Sequence, residues 1–319
     1  MPEMNSRDRV LSLLSFLAIW LFWGSTFLAI RYAIVGIPPV LMCGLRLLSA
    51  GLALVVWARV TGIAWPRGVE WRNASLVGLL LPAIGNVSVT LAVAHVPSGI
   101  VALLVSTIPL WMALLASFGA DPQPPGRQAL VGLGLGFGGI ALLIGPGLVT
   151  GHDATLSPFW ALVPVVGSLS WAWGSLWSRR ARLPRSPMMS TGVGLVAGGV
   201  AALGVALAEG DFHGWNASAT PASAWLALAY LAVFGSVLGF SAYLHLLRRH
   251  PPAVVATYAF VNPIVAMFLG FLLAGESLSP RTLAAAAVVL AAVLLITTAP
   301  PAARHEGVTS GVGMPARRP

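Results

Sequence analysis

The chain has 319 residues, 57% of them hydrophobic and only 8% charged, with a mean hydropathy of +0.87. About a quarter of a soluble domain is charged, so this composition excludes a soluble globular fold and requires a bilayer. The net charge of +9 rests on eighteen cations that are all arginine; they lie between apolar runs rather than on a basic face, which excludes a nucleic-acid partner.

Only helices and closed barrels satisfy their backbone inside a membrane. The apolar runs here are long and continuous, not the short alternating segments of a barrel, so the fold class is all-α integral membrane. Taking about 20 residues per crossing, ten spans are predicted, at 11–30, 39–58, 74–94, 99–118, 128–144, 158–177, 188–208, 222–246, 253–274 and 281–298. The first follows Arg7 and Arg9, precedes Arg31 and has no small-residue cleavage site. It reads as a retained span rather than a signal peptide.

In the first span Trp20, Trp23 and Phe27 share one helix face, and Ser170, Trp173 and Trp177 echo them in the sixth. Two readings stand: packing within the bundle, or an aromatic wall that holds an amphipathic solute. Ser25, Thr26 and Ser175 either bond their own helices or face that solute. Arg46 is the one charged residue well inside a span. It lies about 10 Å from the outer end, so it either snorkels outward or attracts an anion. Asn86 in the third span and Tyr243 in the eighth are further candidates. Pro109, flanked by Thr107 and Trp111, and Pro263, preceded by Asn262 with Tyr258 one turn back, sit at mid-span. Each proline removes a backbone bond and predicts a kink that allows gating. The expected substrate-binding set is therefore Trp23, Ser25, Thr26, Arg46, Asn86, Thr107, Trp111, Trp173, Ser175, Tyr243, Tyr258 and Asn262. Gly132, Gly134, Gly136, Gly138 and Gly139 in the fifth span, and Gly194 and Gly198 in the seventh, let helices approach closely and also allow a homodimer.

With the N-terminus inside, fifteen of the eighteen arginines fall on the inner side; Arg31 and Arg281 lie outside and Arg46 within a span. Cytoplasmic loops carry the positive excess, which places both termini in the cytoplasm. At a constant offset of 154, Pro97, Val101, Ala102, Pro109, Leu115 and Arg127 fall on Pro251, Val255, Ala256, Pro263, Leu269 and Arg281. An odd number of spans per copy makes this an inverted repeat, at 11–149 and 157–299, with a solute site near the midplane between the copies. Tails 1–10 and 300–319 read as disordered.

No GxxxxGK[ST] phosphate loop occurs, no catalytic or metal-ligating set emerges, and no cofactor is implied. Cys43 alone gives neither a disulfide nor a thiol metal site. A membrane-embedded enzyme acting on lipid would need a buried nucleophile with a base in reach, which this sequence lacks. A non-transporting partner or sensor has no soluble input domain to support it.

The run Trp23-Gly-Ser-Thr-Phe-Leu-Ala-Ile-Arg-Tyr-Ala-Ile34, followed by Gly36-Ile-Pro-Pro39 and Gly44-Leu-Arg-Leu-Leu-Ser-Ala-Gly51, closely resembles EamA-type members of the drug/metabolite transporter superfamily. Gly275-Glu276 resembles the family's turn in the second copy, while Ala120-Asp121-Pro-Gln departs from it in the first. The resemblance implies two five-helix domains around a central cavity in the inner membrane. It also implies export of amino acids, related metabolites or amphipathic drugs, with the lipid bilayer as the other partner.

Overall fold

The computed structural model describes residues 6–118, 125–150, 157–250, 252–255 and 258–299. Among these, eight helices are long and apolar enough to cross a membrane, and two are shorter apolar helices. In chain order they are α1 (Asp8–Ala33), α2 (Pro39–Val60), α3 (Gly68–Val93), α4 (Ser98–Ala116), α5 (Arg127–Leu143), α6 (Pro158–Ser178), α7 (Pro187–Glu209), α8 (Ala222–Arg249), α9 (Tyr258–Ala274) and α10 (Pro280–Thr298), α5 and α9 being the shorter pair. Proline opens α2, α6, α7 and α10, where its missing N–H would have been unpaired anyway. The Ser186 and Ser279 hydroxyls cap α7 and α10 by accepting from Met189 N and Thr282 N.

The N-terminal tail expected to be disordered is helical from Ser6. Its first turns are tied down: Arg249 Nη1 pairs with Asp8 Oδ1 at 2.6 Å, and His250 Nε2 meets Ser12 Oγ at 3.0 Å. The tail 300–319, the turn at Asp121 and Pro251 lie outside the described residues.

The two halves pack element on equivalent element. α2 lies along α7, α5 along α10, and α4 against α9; α3 contacts α6 and α7, as α8 contacts α1 and α2. Lipid tails give no hydrophobic drive for helix association, so close approach of small residues does the work. A Cβ on Gly78 of α3 would stand 2.0 Å from Gly194 O of α7, and one on Gly51 of α2 would stand 2.5 Å from Val196 N. In α5, Gly132 and Gly139 press on α10 while Gly136 receives Leu110 of α4. These glycines serve packing within the chain, and only Gly134 and Gly138 of that ladder face open space.

Among the described residues, four helices depart from regular winding near mid-span. Widened π turns occupy Ala18–Phe22 in α1, Leu79–Gly85 in α3 and Leu231–Leu238 in α8. α4 breaks at Ser106–Thr107, between Ser98–Val105 and Ile108–Ala116. The break precedes Pro109, which is the second residue of the new segment, where a missing N–H costs little. The Ser106 and Thr107 hydroxyls donate to Leu103 O and Leu104 O across the break. α9 stays helical through Pro263, which lies inside the segment Tyr258–Ala274.

At the opposite end from Arg249, Glu276 ties three elements together. Its carboxylate accepts from Ser98 N at 2.9 Å and Gly99 N at 3.2 Å, the first turn of α4, and pairs with Arg31 Nη1 at 3.2 Å. An acid on the exposed N–H groups of a helix start is favoured by the helix dipole. Gly275, at φ +63°, makes the turn that delivers it.

Candidate functional site

The irregular turns converge. A widened or broken turn leaves carbonyls without their ladder partners, and inside a membrane these must be satisfied by the protein or face a cavity. The Asn262 amide of α9 stands 3.0 Å from both Ile19 O and Trp20 O at the α1 turn; because both are acceptors, the amide is assigned with its nitrogen facing them, as donor to each. Ser170 of α6 donates to Leu80 O at 2.9 Å, and Asn86 Nδ2 donates to Pro82 O at 3.0 Å, both at the α3 turn. Trp23 Nε1 donates to Gly235 O at 3.0 Å, at the α8 turn. Polar side chains of one half thus hold open turns of the other, except Asn86, which serves its own helix.

Between these turns lies a cavity of about 60 Å³, measured as the space open to the centre of a water molecule. At about 10–15 Å³ per water on that measure, it holds a few waters, so an amino-acid-sized solute requires the walls to part. α1 lines it with Trp23, Thr26, Phe27 and Ile30, α2 with Arg46, and α3 with Gly85, Asn86 and Val89. α4 adds Val105 and Ile108 from either side of its break; α6 adds Pro164, Gly167, Ser168 and Trp171. Phe240 of α8 and Tyr258 and Asn262 of α9 complete it.

Its floor is aromatic. Trp23 stands 5.7 Å from Trp171, 5.6 Å from Phe240, 5.2 Å from Tyr243 and 5.3 Å from Tyr258, ring centre to ring centre. Such spacings suit edge-to-face packing, and the Tyr243 hydroxyl is held by Ser175 Oγ at 3.1 Å. The plug joins α1, α6, α8 and α9. From it the lining runs seven residues along α1 to Ile30, about 10 Å, toward the end held by Glu276.

Six of the residues singled out from sequence meet in this cavity: Trp23, Thr26, Arg46, Asn86, Tyr258 and Asn262. Tyr243 belongs to the plug rather than the lining, with Ser175 buried at its hydroxyl. Ser25 does not line it; its hydroxyl donates to Phe22 O and meets Tyr230 OH at 2.6 Å. Thr107 is buried against its own helix, and Trp111 packs on Phe137 of α5 at 5.2 Å.

Trp173 is the clear correction. It is 58% exposed, pointing out of the bundle. Two residues apart on a helix is about 200° of rotation, and Trp171 holds the inward place instead. Pro164, Ser168, Trp171 and Ser175 follow one another at helical spacing and mark the inward face with small and polar residues beside the one tryptophan. Of the two readings of Arg46, the outward snorkel does not hold: the residue is 2% exposed and its Nε donates to Ser236 Oγ at 2.9 Å.

A helical membrane bundle with a polar-dotted cavity shared by both halves is an architecture suited to a membrane transporter. A sequence model of the EamA-like transporter family matches residues 10–145 and again residues 158–298. The chain belongs to that family, within the drug/metabolite transporter superfamily. It is 38% identical over 265 residues to the "Uncharacterized inner membrane transporter YedA" of Escherichia coli K12, covering 82% of each chain. It is 28% identical over 259 residues to "Protein PecM" of Dickeya dadantii, covering 81% of this chain and 82% of PecM. The "Probable amino-acid metabolite efflux pump" of Salmonella typhimurium is 26% identical over 288 residues, covering 88% of this chain and 91% of that one. A solved crystal structure at 16% identity and TM-score 0.62 covers 92% of this chain and 98% of its own, and shares the fold.

Proposed function

We propose that this protein is a secondary transporter of the inner membrane that exports amino acids, related metabolites or amphipathic compounds. Ten spans form two inverted five-helix repeats, 11–149 and 157–299, with both termini cytoplasmic, and the halves rock about the shared cavity. The observation that carries this reading is the cavity itself: one space walled by α1–α4 from one half and α6, α8 and α9 from the other, stopped on one side by the aromatic plug. Pairing of equivalent helices, π turns at corresponding places in α3 and α8, and the inner arginine excess support the inverted arrangement. Relatives named as an inner membrane transporter and an efflux pump support the location and direction.

The purified chain in proteoliposomes is expected to move at least one solute from a panel of amino acids, their analogues and amphipathic acids. An overexpressing strain is expected to tolerate the toxic members of that panel. A panel that shows neither flux nor tolerance, from protein shown to be folded, overturns the reading. Repeating the flux with an imposed pH gradient separates proton-driven exchange from facilitated passage.

A further inference from the structure

The cavity carries one charge and nothing to balance it. Arg46 stands seven residues into α2 from Pro39, about 10 Å from that end. Its guanidinium lines the cavity, with Nε bound to Ser236 and Nη1 buried without a partner. Gly235, in the widened turn of α8, leaves room for it: a Cβ there would lie 2.7 Å from Nη2. No aspartate or glutamate lines the cavity among the described residues. Glu276, the buried acid among the described residues, is committed to Arg31 and to the backbone of Ser98 and Gly99.

Buried charges in folded proteins are paired, and an unpaired one is strongly unfavourable. Guanidinium is a planar fork of donors that matches a carboxylate, stays charged, and keeps unused N–H groups when only one is bound. Beside it the floor offers the faces and edges of Trp23, Trp171, Phe240 and Tyr258, which suit an apolar or aromatic body.

We infer that the solute is an organic anion: its carboxylate pairs with Arg46 while its apolar body rests on the aromatic floor. A matching amide brings no charge to satisfy the guanidinium. A matching amine brings a second cation into a site of low dielectric, where repulsion is strong. The cavity therefore selects acids over amides and rejects amines. This inference rests on the transport reading for its biological meaning, but not for its test.

The test uses three probes with one body and different heads: phenylacetate, phenylacetamide and phenethylamine. Binding to the full-length chain in lipid nanodiscs is read from ligand-induced shifts in thermal unfolding, and flux is read separately in proteoliposomes with the radiolabelled probes. The expected result is phenylacetate binding at least about tenfold tighter than the amide, a difference of about 1.4 kcal/mol, with the amine weaker still. Arg46→Gln removes that preference, and Arg46→Lys keeps part of it because charge remains without the fork. Equal binding of amide and acid by the wild type overturns the inference, as does no binding of the acid at millimolar concentration, or a Gln variant that retains the preference. The wild-type comparison decides the matter even where a variant fails to fold. Selective binding of the acid without flux of any solute would instead overturn the transport reading and leave the anion site standing.

Discussion

Removing the Glu276 carboxylate is the perturbation whose magnitude the structure sets most clearly. The side chain is 4% exposed and meets three donors: two backbone N–H groups at the start of α4, and Arg31. Glu276→Ala leaves the two N–H groups without an acceptor, a loss comparable to an N-cap, about 1–2 kcal/mol. The Arg31 partner is 42% exposed on its side chain, so solvent screening limits that pair to about 0–1 kcal/mol. The total expected for Glu276→Ala is about 1–3 kcal/mol, most of it from the helix start. Arg31→Ala alone should cost well under half as much. Reversible unfolding of the purified protein by SDS titration measures both, and amide exchange at Ser98 and Gly99 should rise in the Glu276 variant while staying near wild type in the Arg31 variant. Equal losses for the two would refute the reasoning, because the ion pair and not the cap would then hold this end together.

Three further outcomes follow from packing and hydrogen bonding. Trp171→Leu removes a wall of the cavity and should cut solute flux about tenfold, the loss of roughly 1.4 kcal/mol of contact, while Trp173→Leu on the outer face should leave flux within error; the reverse pattern in a paired proteoliposome assay would reinstate Trp173. Gly78→Ala forces a Cβ against the α7 backbone and should destabilise at the upper end of about 1–3 kcal/mol, whereas Gly134→Ala, facing open space, should gain up to about 1 kcal/mol of helix propensity; thermal unfolding in nanodiscs compares them. Trp23→Phe keeps a ring in the plug but takes the side-chain donor from Gly235 O, at about 0.5–1.5 kcal/mol, and faster amide exchange confined to the α8 turn would reveal it.

Much of this architecture is legible in the sequence, because a bilayer imposes length and continuity on every span and proline and arginine punctuate the ends. Arg46 stands out for the same reason: a lone charge in an apolar run is visible wherever it points. The facing of a residue is harder to read. In a soluble helix the polar side marks solvent, but lipid lets apolar residues lie on both sides, so Trp171 and Trp173 look equally fit to point inward. The π turns leave no mark in the sequence, since they are shifts of hydrogen-bond register. They are held by long-range partners, Asn262 for α1, Ser170 for α3 and Trp23 for α8, that no local pattern brings together. Glu276 was visible as a turn residue beside a glycine, but its hold on α4 spans 178 residues of chain. Pro109 shows the converse: its presence was legible, yet the backbone breaks before it, where Ser106 and Thr107 supply the hydroxyls that satisfy the broken ladder.

Solute is proposed to cross through a cavity opened alternately by movement of one half against the other. This movement is tested most directly by locking the Arg249 end, where His250 meets Ser12 at 3.0 Å. In a Cys43→Ser background, Ser12→Cys and His250→Cys are bridged with a short bifunctional thiol reagent in proteoliposomes, and flux of the solute identified by the panel is followed. Flux that stops on bridging and returns when the link is cleaved is the predicted result. Flux that continues unchanged through quantitatively bridged protein would contradict it.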